Sequence, residues 1–222
     1  MSVEPFAELA RRPDPPLDEI ALSLAAEFGE VDADAARTRL DELGDEVDAL
    51  LVAPRDPRAE ADAVVEVLGR RHGFRGDREN YDHPRNSMLG VVLERRAGLP
   101  ILLSVVYVAV GRRAGVALDG VGLSGHYVVG HFGVLPPVLL DPFNAGKQLE
   151  VDRPMPPATV RPWGVHETVL RMLNNLVTAY TRRNELGRAI RAAEMRLELP
   201  LEAGHNVATL GVELRALRAR LN

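Results

Sequence analysis

The sequence predicts an α+β fold, with a buried central helix packed on a small antiparallel sheet and helical segments before and after it. Three observations lead there. The stretch Gly98 to Gly115, GLPILLSVVYVAVGRRAG, leaves almost no polar face, and a helix that is apolar all round is buried all round. Past Gly115 the apolar period shortens to alternation, the signature of half-buried strands. On both sides of this region the period is that of a helix.

Composition narrows the function classes. The chain has 222 residues, a net charge of −5 and no Cys. Disulfides, thiolate metal sites and every cysteine-nucleophile mechanism are therefore excluded. The N-terminus, MSVEPFAELARRPDPP, is charged and Pro-rich and has no apolar h-region, so a cytoplasmic protein is expected. The central apolar run is shorter than the ~18 residues of a membrane span. Residues 1–70 carry 18 acidic and 7 basic side chains, a net of −11, whereas 161–222 carry 6 acidic and 10 basic, a net of +4. The acidic part reads as the solvated face of a helical region, with an acidic docking surface as the alternative. No chain-wide basic footprint for nucleic acid exists. Protein or peptide is the expected partner, with no cofactor.

Taken in order, residues 4–12 form a short helix stopped by Pro13, Pro15 and Pro16. Asp18 is placed to cap a helix running to about Phe28. Asp32 or Asp34 caps the next, in which Leu40, Leu43, Val47, Leu50 and Leu51 recur at helical spacing. A third helix runs from about Arg58 to His72. These elements make a helical region over 1–72. The polar stretch 73–86 is a turn-rich loop, and Asn86 is placed to cap a helix, SMLGVVLERRA, that Gly98 closes. The central helix follows. Pro100 suits its first turn, where a missing N–H costs nothing, and Gly115 suits the left-handed position past its end. Val121 and Leu123, then Tyr127 and Val129, then Val138 to Leu140 give two or three antiparallel strands within a core spanning 73–160. Residues 147–163 are a Pro-rich connector. Leu170, Leu173, Leu176, Val177 and Tyr180, then Ala189, Ile190, Ala193 and Leu197, restore the helical period over 161–222. Tyr180 and Ala189, with Leu176 before and Pro200 after, resemble one tetratricopeptide unit. A single unit cannot bury its own face, so it must lean on the core and on a final helix from about His205 to Leu221.

Three positions could carry chemistry together: the helix start at Pro100, His126 in a strand and Asp141 at a strand end. A carboxylate beside an imidazole fixes its tautomer and stabilises its charged form. A nucleophile at the start of a buried helix would gain from both the His and the helix dipole. The bland readings stand beside these: a strand His is an ordinary structural residue, and Asp before Pro is an ordinary turn starter. The nucleophile is missing. Pro100 has no reactive atom. Ser104 lies one turn inside the helix and is expected to bond a carbonyl four residues back. Ser124 sits in a Gly-flanked turn. Ser87 fits first-turn helix chemistry beside Asn86. Tyr81, Asp82 and His83 form a polar loop cluster, where function often resides, or simply a turn before Pro84. A metal site is not expected, because His126 and His131 are five apart in a strand and point to opposite faces.

The segment from Asn80 to Phe132, continuing to LLDPFNAGKQL, resembles the SirB1 family, the transglutaminase-like core 2 domain. The resemblance rests on Tyr81, Pro84, Asn86-Ser87, Leu89, Leu93, Arg95-Arg96 and Gly98-Leu99-Pro100. It continues through Gly115, Gly120-Val121-Gly122, Gly125-His126, Asp141-Pro142-Phe143 and Gly146. It implies a papain-like core over 73–160 and a tetratricopeptide-like tail over 161–222. It also implies that His126 and Asp141 match the catalytic His and Asp of active relatives, whose Cys stands where Pro100 stands here. Ser124 departs from the family, which usually has Pro before Gly-His. The expected function is a non-catalytic binding or regulatory module, with Tyr81, Asn86 and Ser87 as possible binding residues. The alternative is an enzyme using His126 and Asp141 with Ser104 or Ser124, or acting directly on substrate.

Overall fold

The computed structural model describes residues 3–29, 32–149, 160–200 and 207–221. Four helices come first: α1 (Phe6–Ala10), α2 (Leu17–Ala26), α3 (Ala33–Asp48) and α4 (Pro57–Val65). Asp32 caps α3 by accepting the Ala35 N–H at 3.0 Å, and Asp56 caps α4 through the Ala59 N–H at 3.0 Å. Such caps satisfy donors that a helix start leaves orphaned. Leu40, Leu43 and Val47 of α3 are fully buried, as their spacing predicts. The third expected helix is not α-helical to its end, because beyond Val65 it widens into a π-helical turn, Glu66–Arg71.

The loop that follows is more structured than its composition suggests. β1 (Arg75–Gly76) pairs in parallel with β2 (Ala97–Gly98). Between them lie a 3₁₀ turn, Pro84–Ser87, and α5 (Leu89–Arg95). Two expectations change here. Asn86 does not cap α5, whose N-cap is Met88. The Asn86 amide instead donates to the Asn80 carbonyl at 2.7 Å and accepts from Arg95 at 3.1 Å, buried bonds that hold the loop. Gly98 does not close α5 either, because Arg96 takes the left-handed conformation at φ 55°. Gly98 is needed for space: a Cβ there would stand 2.7 Å from Val92.

α6 (Pro100–Arg113) is the core of the molecule. Only Val108, Arg112 and Arg113 of its fourteen residues escape burial. Each buried Leu, Ile or Val contributes ~1.5–3 kcal/mol. Pro100 occupies the first turn, and Gly115 has φ 68°. α6 lies across a four-stranded antiparallel sheet, β3 (Leu118–Leu123), β4 (His126–His131), β5 (Val138–Asp141) and β6 (Lys147–Gln148), in that order. The fourth strand is two residues long, too short to leave a period in the sequence. Tyr127, Val129, Val138 and Leu140 join the main core, while Val121, Val128 and Leu139 form a smaller cluster on the opposite face. This is the alternation that a pleated strand imposes.

α7 (Val165–Arg182), α8 (Leu186–Glu198) and α9 (Val207–Leu221) complete the chain, α7 against α8 and α8 against α9. Most of the expected connector, 150–159, and the expected start of the last helix at His205 lie outside the described residues. Among the described residues no helix is long and apolar enough to cross a membrane.

Asp18 is not the cap of α2, since Pro16 holds that place in an extended conformation. Asp18 is instead fully buried and ion-paired with Arg112 at 2.9 Å and Arg113 at 2.8 Å. The two arginines end α6, where positive charge also complements the helix dipole. Removing Asp18 returns Arg112, whose side chain is 52% exposed, to water and leaves Arg113 paired with Asp41 at 2.6 Å. Asp18→Ala therefore loses charge-assisted hydrogen bonds and is expected to lower stability by about 2 kcal/mol. The check is the urea unfolding midpoint, which should fall with the slope unchanged.

Candidate functional site at His126 and Asp141

β4 begins at His126 and β5 ends at Asp141. The register Val129↔Leu140 and Gly130↔Leu139, taken one step further, sets Asp141 beside Val128. His126 lies two residues along on the same face. Its Nε2 stands 3.0 Å from Asp141 Oδ2. The imidazole's other nitrogen, Nδ1, is then the one available to a further partner. The His126 side chain is 30% exposed and that of Asp141 only 4%.

Asp141 is held from several sides. Its Oδ1 accepts the backbone N–H groups of Phe143 at 3.0 Å and Asn144 at 3.3 Å. Its Oδ2 accepts the Asn144 side-chain amide at 2.6 Å. Asp141 is thus the ordinary turn starter ahead of Pro142, capping the 3₁₀ turn Pro142–Asn144, and the partner of His126 at once. Arg78 donates in turn to the Asn144 side-chain oxygen. Its guanidinium also lies 5.1 Å from the Phe143 ring centre. Phe143 meets the His126 ring edge-on at 6.4 Å and Tyr81 at 5.8 Å. Gly76 makes this possible, because a Cβ there would fall 2.2 Å from the Phe143 ring.

Tyr107 of α6 lies against the turn after β5, its Oη 2.8 Å from where a Cβ on Gly146 would stand. Its phenol is buried and finds no hydrogen-bond partner among the described residues. Burial first, and then the Asp141 charge, push its pKa well above the usual phenol range. Tyr107 therefore stays protonated, an available donor next to the carboxylate's turn.

The expected nucleophiles do not join the pair. Pro100 stands at the first position of α6 with no side-chain donor or acceptor. Ser104 donates to the Pro100 carbonyl at 2.9 Å and is 1% exposed. Ser124 is exposed in the β3–β4 turn. Among the described residues no hydroxyl is hydrogen-bonded to the His126 ring. His131 faces away from His126, with Nε2 2.8 Å from Glu60 of α4. No three His, Asp or Glu side chains gather to hold a metal ion among the described residues.

Tyr81 and Ser87 line a separate cavity of about 200 Å³, closed by Leu99 at the start of α6 and by Asn175, Thr178 and Arg182 of α7. Asn86 does not line it. Sequence reasoning missed Arg78, Asn144 and Arg171. Arg171 donates to the carbonyls of Leu123 at 3.3 Å and His126 at 2.9 Å, clamping the hairpin that carries His126. Only Asn144 left a local signal, an amide three residues past an Asp-Pro turn. Asn144→Ala should unfold at lower urea by about 1–2 kcal/mol, since Asp141 keeps its burial and loses a bond. The His126 ring proton resonances should move in the same variant.

Residues 34–155 match the family described as the transglutaminase-like superfamily. A UPF0162 protein of Xylella fastidiosa strain 9a5c is 36% identical over 158 residues, which are 62% of this chain and 54% of that protein. A UPF0162 protein of Vibrio cholerae is 32% identical over 110 residues, 49% of this chain and 41% of its own. F-box only protein 21 of Mus musculus is 33% identical over 98 residues, 40% of this chain and 16% of that protein. The chain spans about half the length of the Xylella fastidiosa relative. No solved structure matches.

Proposed function

The chain belongs to the transglutaminase-like superfamily, and on that premise we propose that it is a SirB1-type, non-catalytic module that binds protein or peptide. The observation that carries this reading is the start of α6. Pro100 keeps the helix start in place and supplies no nucleophile, and Ser104, one turn on, is spent on the Pro100 carbonyl. With no Cys in the chain, the His126–Asp141 pair has no thiol to activate. What remains is a part-exposed imidazole edge-on to Phe143, which in turn meets Tyr81, with a polar cavity next to α6. These suit recognition of a peptide segment. The tail, α7 to α9, is read as tetratricopeptide-like.

One observation favours a second reading. His126 Nε2 stands 3.0 Å from Asp141, and Asp141 is held by three hydrogen bonds. A pair arranged in this way can serve as a general base acting directly on a bound substrate.

Amide, ester and transamidation substrates are expected to give no turnover above a buffer blank, and Ser104→Ala is expected to change nothing. A turnover that purifies with the protein and disappears in His126→Ala would defeat the binding-module reading and establish the second.

A further inference from the structure

We propose that the cavity bounded by the 3₁₀ turn Pro84–Ser87, the start of α6 and α7 binds a phosphate group, with the Ser87 hydroxyl and the Arg182 guanidinium among its partners. This goes beyond the peptide-binding reading of the core, and either can fail without the other.

The cavity holds about 200 Å³. That is below the ~300 Å³ at which ordinary small-molecule sites begin, so its ligand is small. Ser87 lines it and is 1% exposed. The Ser87 hydroxyl is not among the wholly enclosed side-chain atoms, and it makes no hydrogen bond among the described residues. A hydroxyl taken out of water without a partner costs free energy unless the cavity supplies one. The helix start beside it is in the same position. Leu99, the N-cap of α6, is another wall of the cavity. Its N–H donates to the Asn86 carbonyl at 3.2 Å, which ties the helix start to the 3₁₀ turn. The Leu103 N–H is the first to bond back, to the Leu99 carbonyl at 3.0 Å. Pro100 has no N–H. Those of Ile101 and Leu102, residues 1% and 0% exposed, have no partner among the described residues. Unpaired N–H groups and the dipole at a helix start favour an anion.

The other lining groups select the anion. His83 accepts the Arg85 N–H at its Nδ1 at 3.2 Å, so its neutral ring carries the hydrogen on Nε2. That nitrogen has no partner among the described residues, and neither has the Asn175 amide of α7. Both side chains line the cavity. Donors therefore come from the turn, the helix start and α7, on different sides of one small space. A phosphate offers three outward acceptor oxygens in a tetrahedron, whereas a carboxylate offers two in one plane, so donors set on several sides suit the phosphate. Arg182 supplies the charge. It is paired with Asp82 at 2.7 Å, the two side chains being 62% and 64% exposed. Exposed bridges of this kind are weak. Asp82 lines the cavity too, and a phosphate competes with it for the guanidinium.

The test titrates the full chain by calorimetry with inorganic phosphate and with a short peptide carrying one phosphoserine, acetate and the same peptide carrying Ser being the controls. Phosphate should bind saturably and shift the amide resonances of Ile101 and Leu102, and acetate should do neither. A phosphopeptide that binds at least about tenfold more tightly than inorganic phosphate identifies the carrier as a peptide, and equal or weaker binding identifies the free ion. Ser87→Ala should weaken phosphate binding about tenfold, the worth of a hydrogen bond to a charged group. Arg182→Gln should weaken it about as much. Asp82→Asn should tighten it about threefold, because the competitor for Arg182 loses its charge. Circular dichroism checks folding, and Asp82 and Arg182 are exposed enough that their variants stay informative if the Ser87 variant unfolds. The proposal is overturned if neither probe binds, if acetate binds as well as phosphate, or if affinity is unchanged in both Arg182→Gln and Asp82→Asn. His126→Ala, which probes the core, should leave phosphate affinity unchanged. Loss of phosphate binding in that variant would place the ion at the core and overturn the proposal as well.

Discussion

The Asp141 carboxylate is the constraint on which the site depends. Taking a carboxylate out of water is costly unless hydrogen bonds and charge replace the solvent. Here the replacement is complete and entirely local on one oxygen, where Phe143 and Asn144 supply N–H groups from the same turn. The other oxygen accepts the Asn144 amide and lies 3.0 Å from His126 Nε2. One acid therefore fixes the end of β5 and the turn after it, and sets its charge against an imidazole on the neighbouring strand. The turn in turn fixes Phe143, against which Tyr81, Arg78 and His126 are arranged. Any arrangement that loosens the turn loosens the imidazole.

The start of α6 carries a second constraint. A buried helix start concentrates unpaired N–H groups and positive potential. α6 keeps that feature, because Pro at the first position removes an N–H that would have been orphaned anyway. Pro100 itself carries no reactive atom, and what it satisfies is the demand of α6 for a good helix start. The neighbouring hydroxyl cannot substitute, because the Ser104 bond to the carbonyl four residues back is the one a buried serine makes inside a helix.

How legible each part was in the sequence follows from the range of the interaction responsible. α6 is legible because its apolar residues, its Pro and its Gly are all local signals. The alternation in β3 to β5 is legible for the same reason. Asp32 reads correctly as a cap, since its partner is Ala35. Asp18 reads wrongly as one, since its partners lie 94 and 95 residues away and only folding brings them together. Asn86 fails likewise, drawn from helix capping to Asn80 and Arg95. β1, β2 and β6 are two residues long and carry no period at all. In the site, His126 and Asp141 are visible from residue type and strand position. Arg78 and Arg171 are not, because each acts from another element on atoms that have no sequence signature, an amide oxygen and two backbone carbonyls.

The arrangement of Arg171 bears on what the C-terminal helices are for. Its guanidinium holds the two ends of the β3–β4 turn and lies 5.4 Å from the Tyr127 ring centre and 5.7 Å from that of Trp163. Tyr127 in turn shares a hydrogen bond of 2.7 Å with Thr168 of α7. Trp163, just before α7, donates its backbone N–H to the Gly120 carbonyl, and its ring lies where a Cβ on Gly122 would stand. The hairpin that presents His126 is therefore gripped along its length by the first helix of the tail and the residue leading into it. α7 also walls the cavity beside Leu99 through Asn175, Thr178 and Arg182. A helix placed in this way makes the tail part of the core's own support.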